Sequence, residues 1–271
     1  MNEIVANEEN EYKPMDLETL AEGSEASQKA LQESYDKMPR VIFKCKSLSS
    51  EEDLTRTCDI LKNHRIYMPT YNQLNDPFEG ASSVLYNVTE KMREAERLKW
   101  QILSFSTEFL LPTMWAYYAG NYNGVCIGFK THESFDDIKE VEYVKGQMYF
   151  SVDLQLSTQG DLTLKHECWK EEKEWRLLRY KPSAGQTEDE KNYFSFKDDD
   201  ILCVFIGYKV SKENREIIKQ ALPQGAKLYT VYPDNEKFCL YARNEDSGNY
   251  VYDTEQLIKD LDIPETPRKY Y

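Results

Sequence analysis

The sequence predicts one α+β domain over residues 39–260, with a bent, mostly antiparallel sheet and short helices around it. Two observations lead to this fold class. Runs of β-branched and aromatic residues, typical of strands, dominate the C-terminal half of the chain. In the N-terminal half, short helical patterns lie between strands, and no internal repeat is visible. This mixture is typical of helices packed on one twisted sheet.

The first globular elements follow Pro39. R-V-I-F-K-C at 40–45 predicts a strand. Ser50 and the acidic residues after it predict the start of a helix, because a serine side chain caps free amides and carboxylates favour a helix N-terminus. This helix is expected to end near Asn63, with Leu54, Cys58 and Leu61 on one face. A second short strand is predicted at 65–68.

A polar loop follows the second strand and leads into alternating helices and strands. Pro112 and Gly120 mark the start and the end of one short helix, since proline fits the first turn of a helix and glycine fits its end. The predicted elements are a helix at 89–100, a strand at 101–106, a helix at 112–119 and a strand at 125–129.

Strands dominate the rest of the chain. One helix interrupts them at 212–222, where Ser211 provides a capping hydroxyl. The predicted strands are E-V-E-Y-V at 140–144, E-W-R-L-L-R-Y at 174–180, Y-F-S-F at 193–196, I-L-C-V-F-I-G-Y at 201–208, A-K-L-Y-T-V-Y at 226–232 and F-C-L-Y-A-R at 238–243.

Composition excludes several functional classes. The 271 residues are 40% hydrophobic and 30% charged, with a formal net charge of −14. Such an acidic chain disfavours non-specific binding to nucleic-acid phosphates or anionic membranes, which needs clustered lysine and arginine. No apolar run is long enough to cross a membrane. The N-terminus is acidic where a signal peptide would be basic and then apolar.

The six cysteines are widely scattered and form no C-x-x-C pair. Cys126 and Cys203 lie inside apolar runs, where a reduced thiol packs as a small hydrophobe. The three histidines are also scattered, so we predict no metal site. These patterns favour a reducing, cytoplasmic location.

Residues 1–38 differ from the rest of the chain, with ten acidic and three basic residues. One interpretation is a mobile, partly helical extension, because acidic terminal segments are usually solvated. The other is a docking arm for a macromolecular partner, or an acidic plug over a basic groove. Residues 261–271 are predicted to form a C-terminal tail.

Polar and aromatic residues form clusters that local structure explains least well. The loop 75–79 reads N-D-P-F-E, which also fits a rigid turn with Phe78 buried. Trp115 and Tyr118 fit a core-facing helix as well as a site. Glu174 and Arg176 share one strand face, and an exposed charge pair would explain them too. We nevertheless expect these polar and aromatic residues to converge on one concavity. They are Asn75 to Glu79, Tyr67, Trp115, Glu174 and Arg176.

Several short motifs, taken in their order along the chain, resemble those of a bacterial family of unknown function. They read V-I-F-K-C-K at 41–46, R-I-Y-M at 65–68, L-N-D-P-F-E at 74–79, W-A-Y-Y-A with G-V-C-I-G-F between 115 and 129, and K-E-W-R at 173–176. The resemblance spans about residues 40–242. Some relatives are associated with abortive-infection proteins, so it implies a role in phage defence or toxin–antitoxin biology.

A second, more distant resemblance is to the ADP-ribosyltransferase fold. It implies NAD as a substrate, with Lys44 or Lys46 holding NAD and Tyr67 at the nicotinamide. It also implies that Glu174 is catalytic and stabilises the positive charge that develops on the ribose. The alternative is a protein without catalysis that binds a ligand or another protein, including an acidic decoy of a nucleic-acid-binding partner. Besides Glu174, the candidate NAD-binding residues are Lys44, Lys46, Tyr67, Asn75, Asp76, Glu79, Trp115, Tyr118 and Arg176.

Overall fold

A computed structural model describes residues 37–80, 89–131, 134–146, 154–181 and 192–263. The expected helical pattern in the acidic segment therefore lies outside the described residues, as does most of the C-terminal tail. Residues 39–264 form one compact unit. It is an α+β domain with a mostly antiparallel sheet and short helices, which confirms the predicted fold class at this level.

The main sheet has nine strands. In spatial order they are β13 (Tyr250–Val251), β12 (Cys239–Asn244), β11 (Lys227–Asp234), β10 (Ile201–Gly207), β4 (Gly124–Lys130), β1 (Val41–Ser47), β3 (Trp100–Ser106), β8 (Glu174–Tyr180) and β5 (Lys139–Glu140). Among these neighbours, β10 and β11 pair in parallel and the others pair antiparallel.

Two small sheets and six helices complete the described part of the domain. One small sheet pairs β2 (Arg65–Tyr67) with β9 (Tyr193–Ser195), and the other pairs β6 (Glu142–Val144) with β7 (Leu164–His166). The helices are α1 (Glu51–Asn63), α2 (Glu90–Arg97), α3 (Pro112–Tyr117), α4 (Leu154–Asp161), α5 (Lys212–Ala221) and α6 (Thr254–Asp260). Short 3-10 turns occupy Tyr71–Gln73, Glu167–Glu172 and Asp198–Asp200.

The two predicted serine caps are present, whereas the helix that begins at Pro112 ends at Tyr117, before the predicted end at Gly120. The Ser50 hydroxyl accepts a hydrogen bond from the Asp53 amide, and Ser211 caps α5 in the same way. The buried face of α1 differs from the expected one, because it is centred on Thr57, Ile60 and Leu61. Leu54 and Cys58 lie at its half-buried border.

Two other expectations need correction. The single strand expected at 140–144 is two short strands, β5 and β6, because each pairs with a different neighbour in a different sheet. Four further strands and helices had no predicted counterpart: β7, β13, α4 and α6. All four are short, and their sequences show little hydrophobic periodicity.

A large core cluster covers one face of the sheet at β1, β4, β10, β11 and β12. Aromatic rings stack along it: Phe109 on Phe205 with centroids 4.4 Å apart, and Phe205 on Tyr229 at 4.9 Å. Cys126 and Cys203 are free thiols buried in these strands, as predicted. This packing covers one face of β1. The edge of β1 that faces β3 borders a cavity.

Candidate active site

A cavity of about 300 Å³ lies where β1 and β3 separate. These strands pair only at Phe43 and Ser106, whereas β1 pairs with β4 along all of its residues. Residues of both strands therefore border the space between them. The apolar lining consists of Phe43, Cys45, Pro69, Leu74, Ile102, Phe105 and Met114; the polar lining consists of Lys44, Gln73, Asn75, Glu79, Ser104, Ser106, Tyr118, Lys165, Glu172 and Glu174.

Three carboxylates and one ammonium group form one wall of this cavity. Lys165 Nζ donates to Glu172 Oε2 and to Glu174 Oε2, each at 2.7 Å. It also lies 3.9 Å from Glu79 Oε1. All four side chains are buried. The short 3-10 turn before β8 and the start of β8 place Glu172 and Glu174 together, while the loop after Tyr71–Gln73 supplies Glu79.

Arg176 lies behind this wall and joins two of its carboxylates. Its guanidinium donates two parallel hydrogen bonds of 2.7 Å to Glu79, and Nε donates to Glu174 Oε1 at 2.7 Å. Nη1 also donates to the Leu162 carbonyl. The side chain is fully buried. Paired, hydrogen-bonded charges of this kind are what makes the burial of several ionised groups tolerable.

The network keeps Glu174 ionised. Burial alone would raise the pKa of this carboxyl, but the charges of Arg176 and Lys165 and their hydrogen bonds outweigh it and lower the pKa to about 2. Burial would likewise lower the pKa of Lys165, but Glu174 and Glu172 raise it. Three carboxylates against two cations leave one net negative charge beside the cavity. This wall is suited to a positive centre rather than to proton abstraction by Glu174.

A hydrogen-bond chain extends the network to the N-D-P-F-E loop. Tyr118 donates to Glu172 Oε1 at 2.9 Å, and Asn75 Nδ2 donates to the Tyr118 hydroxyl at 2.9 Å. Burial, followed by the negative charge of Glu172, raises the pKa of Tyr118. Tyr118 therefore remains a neutral hydrogen-bond donor at physiological pH.

Lys44 faces the cavity from β1. Its Nζ donates to the Ser104 carbonyl of β3 at 2.7 Å, across the opening between the two strands. Burial, together with repulsion from Lys46, lowers the pKa of Lys44 to about 8. The nearby Glu174 acts in the opposite direction. Lys44 is therefore a cation at neutral pH whose charge is weakly compensated, in a position to meet an anionic group of a ligand.

The structure brings five of the candidate residues to the cavity surface and a sixth behind it. Lys44, Asn75, Glu79, Tyr118 and Glu174 line it. Arg176 holds two of these from behind. Tyr67, more than 40% exposed, lies outside the lining and reaches it only through Gln73, whose side-chain oxygen accepts from the Tyr67 hydroxyl.

The other candidates have different surroundings. Trp115 is fully buried in the core, and its Nε1 donates to the Phe109 carbonyl. Asp76 accepts the Phe78 amide and so stabilises the turn. Lys46 is outside the lining, and burial lowers its pKa. Phe78 is 68% exposed, so the interpretation of this loop as a turn anchored by a buried Phe78 is wrong.

Sequence reasoning missed Lys165 and did not select Glu172. Lys165 lies on β7, a three-residue strand without a recognisable pattern, so no local signal marks it. Glu172 precedes Glu174 by two residues in a run of five charged residues, where it resembles a solvated side chain. An alternation of charge through Glu172, Glu174 and Arg176 into a strand that is otherwise apolar was the available signal.

Within the described ranges, no group of three histidine, cysteine, aspartate or glutamate side chains is arranged to hold a metal ion. Lys165 and Arg176 instead offset two of the three carboxylate charges of this wall. The same part of the chain contains no helix that is both long and apolar enough to span a membrane.

Comparison with known proteins gives one match. Residues 114–177 match the model of a family described as a protein of unknown function, DUF2971. The matched stretch contains the last four residues of α3, β4 and the charged residues Lys165, Glu172, Glu174 and Arg176, whereas β1 and the N-D-P-F-E loop lie outside it. No curated protein and no solved structure matches the chain. The chain is thus similar, over the segment that supplies Lys165, Glu172 and Glu174, to a family of unknown function.

Proposed function

We propose that the cavity binds the nicotinamide-ribose end of NAD and that the protein is an NAD-consuming transferase or hydrolase of the ADP-ribosyltransferase type. The observation that carries this proposal is the pair of buried carboxyl side chains, Glu172 and Glu174, on the wall of the cavity. Cleavage of the bond between nicotinamide and ribose leaves positive charge on the ribose. A fixed carboxylate in a cavity of low polarity stabilises such a charge.

The remaining lining supports the same ligand. Phe43 and Phe105 offer an apolar wall for a pyridine ring, in place of Tyr67, which lies outside the cavity. Lys44 offers a positive charge for a phosphate. The cavity of about 300 Å³ lies at the small end of ligand pockets, so it takes one end of a dinucleotide while the rest extends outward. The defence role implied by the family resemblance is part of this proposal.

A second candidate is a ligand-binding protein without catalysis. The observation that favours it is the saturation of both carboxylates: Glu174 accepts from Arg176 and Lys165, and Glu172 accepts from Lys165 and Tyr118. A carboxylate whose oxygens already accept hydrogen bonds from cations stabilises a developing positive charge less than a free carboxylate does. Such a protein would bind NAD or a related nicotinamide compound and release it unchanged.

Nicotinamide release from NAD distinguishes the two candidates. We expect the wild-type protein to release nicotinamide, and Glu174→Gln to lose about 10²–10³ of the rate, as when a preorganised charge is removed from an active site. Glu171→Gln, on the exposed side of the same turn, is the matched control and should keep the wild-type rate. Thermal melting of each variant checks that it is folded.

The outcomes separate clearly. NAD binding without nicotinamide release by the wild-type protein would favour the second candidate. Equal release by the wild-type protein and folded Glu174→Gln would show that Glu174 is not catalytic. Transfer of labelled ADP-ribose to a macromolecule, compared with release of free ADP-ribose, distinguishes a transferase from a hydrolase.

A further inference from the structure

A second feature lies at the opposite end of the main sheet, at the turn between β11 and β12. Phe238 is 98% exposed there, and its backbone has φ of +55°. This left-handed conformation costs energy for a residue other than glycine or asparagine, and strain at an exposed residue often marks a functional position. A phenylalanine that packs against nothing in its own fold offers an apolar side chain to another molecule.

A groove of about 270 Å³ lies beside this turn. Three of its lining residues are tyrosines, whose rings cluster around Tyr241: the Tyr250 centroid is 5.6 Å away and the Tyr252 centroid 5.8 Å. Tyr232 borders the cluster at 5.7 Å. A cavity of about 150 Å³ already binds benzene, so this groove has room for one phenyl ring. The lining residues are Pro233, Asp234, Asn235, Tyr241, Tyr250 and Tyr252.

Charge on this surface is balanced, unlike charge on the chain as a whole. Asp234, Glu236 and Lys237 lie at the turn, and Arg243 pairs with Tyr250 of the groove across β12 and β13, whereas the chain as a whole carries −14. Lys237 Nζ lies 3.8 Å from the centre of the Tyr252 ring and so keeps a cation next to the groove. Aromatic residues with arginine and little net charge are typical of protein–protein interfaces.

We propose that this surface is the interface of a symmetric homodimer, in which Phe238 of each copy inserts into the tyrosine groove of the other. The phenyl ring and the groove lie side by side at one end of the sheet, so one two-fold axis fills both grooves at once. Two strongly acidic chains repel each other, and a charge-balanced surface is where they approach at the lowest electrostatic cost. Lys237 and Arg243 of one copy then face Asp234 and Glu236 of the other.

Sedimentation equilibrium of the full chain tests this interface. Measured from about 1 to about 500 μM, a range that covers weak and specific interfaces, the wild-type protein should show a monomer–dimer equilibrium. Phe238→Ser should weaken the dimer roughly 30-fold or more, as at an interface hot spot. Met92→Ser, which removes another exposed hydrophobic side chain, is the matched control and should leave the equilibrium unchanged.

Salt provides an independent readout. Because salt screens the repulsion between the two acidic chains, dimerisation should become stronger between low and physiological ionic strength. Circular dichroism confirms that Phe238→Ser is folded, which its exposure favours. A wild-type protein that stays monomeric over the whole range would overturn the proposal, as would a dimer that Phe238→Ser leaves intact. Monomers that bind an aromatic small molecule in the groove would identify a ligand site instead.

Discussion

The two sides of β1 differ in how the protein holds its sheet together. Toward β4 and β10 the strands pair residue by residue, and stacked rings of Phe43, Phe109 and Phe205 fill the space above them. Toward β3 the pairing is limited to Phe43 and Ser106, and the space contains a cavity bordered by buried charges. Apolar packing closes the sheet on one side, and an ion network stabilises its opening on the other.

This difference has an energetic consequence. We call the well-packed part at β1, β4 and β10 the closed half and the part around the cavity the open half. A substitution in the closed half lowers the free energy of unfolding in proportion to the packing that it removes. In the open half, each buried charge depends on its partners, so the loss of one member leaves an uncompensated charge in a region of low polarity. The two halves should therefore respond differently to substitution and to pH.

The largest expected effect is in the open half. Arg176→Met should lower the free energy of unfolding by about 3–5 kcal/mol, because it leaves Glu79 and Glu174 buried without their shared cation. The deficit should shrink as the pH falls toward the ordinary carboxyl pKa, since protonation removes the uncompensated charge. Urea denaturation at several pH values measures both effects.

Arg56→Met is the control for this experiment. Arg56 pairs with Glu52 on the exposed surface of α1, where an ion pair contributes little. A loss below about 0.5 kcal/mol is expected there. A similarly small loss for Arg176→Met would mean that the network does not stabilise the open half of the sheet.

In the closed half we expect a smaller effect that does not depend on pH. Ile206→Val removes one methylene group from a fully buried side chain on β10 and should cost about 1 kcal/mol. No ionised group is created or lost, so the cost should be equal at pH 5 and pH 8. A clear pH dependence of this cost would show that the closed half is electrostatically coupled to the network.

Another pH-dependent effect in the open half concerns Lys44. Its pKa of about 8 in the folded protein lies below its ordinary value of 10.5, so the folded protein binds fewer protons than the unfolded chain between these values. Wild-type stability should therefore rise, relative to that of Lys44→Met, as the pH increases from about 8 to about 10.5. Urea denaturation at intervals across that window measures the difference.

Lys62→Met, at the exposed end of α1, is the matched variant for this titration. Relative to the wild-type protein, its stability should not change over the same pH window. If Lys44→Met behaves in the same way, the Lys44 ammonium is not desolvated in the cavity.

The closed half could be predicted from the sequence because its signals are local. Val125 to Phe129 and Ile201 to Gly207 are continuous runs of strand-forming residues, and each run pairs with neighbours that have the same composition. The alternation of Glu174 and Arg176 also predicted that both would share a face, and a hydrogen bond joins their side chains.

The open half could be predicted only in part, because its signals are distributed along the chain. Glu79, Lys165 and Arg176 come from three distant segments, and nothing near Lys165 indicates that two carboxylates surround it. The tight spacing of aromatic residues at Trp115 and Tyr118 suggested one site. The helix instead turns Trp115 into the core and Tyr118 toward the cavity.

Calorimetric titration with NAD tests most directly the claim that the cavity is an NAD site. The wild-type protein should bind NAD at or below millimolar concentration. Asn75→Trp, which places a large ring at an exposed position of the cavity lining, should weaken binding at least tenfold, whereas Asn72→Trp, on the same loop but outside the lining, should bind as the wild type does. A folded wild-type protein that shows no binding at millimolar NAD, or equal binding by both variants, would contradict the account.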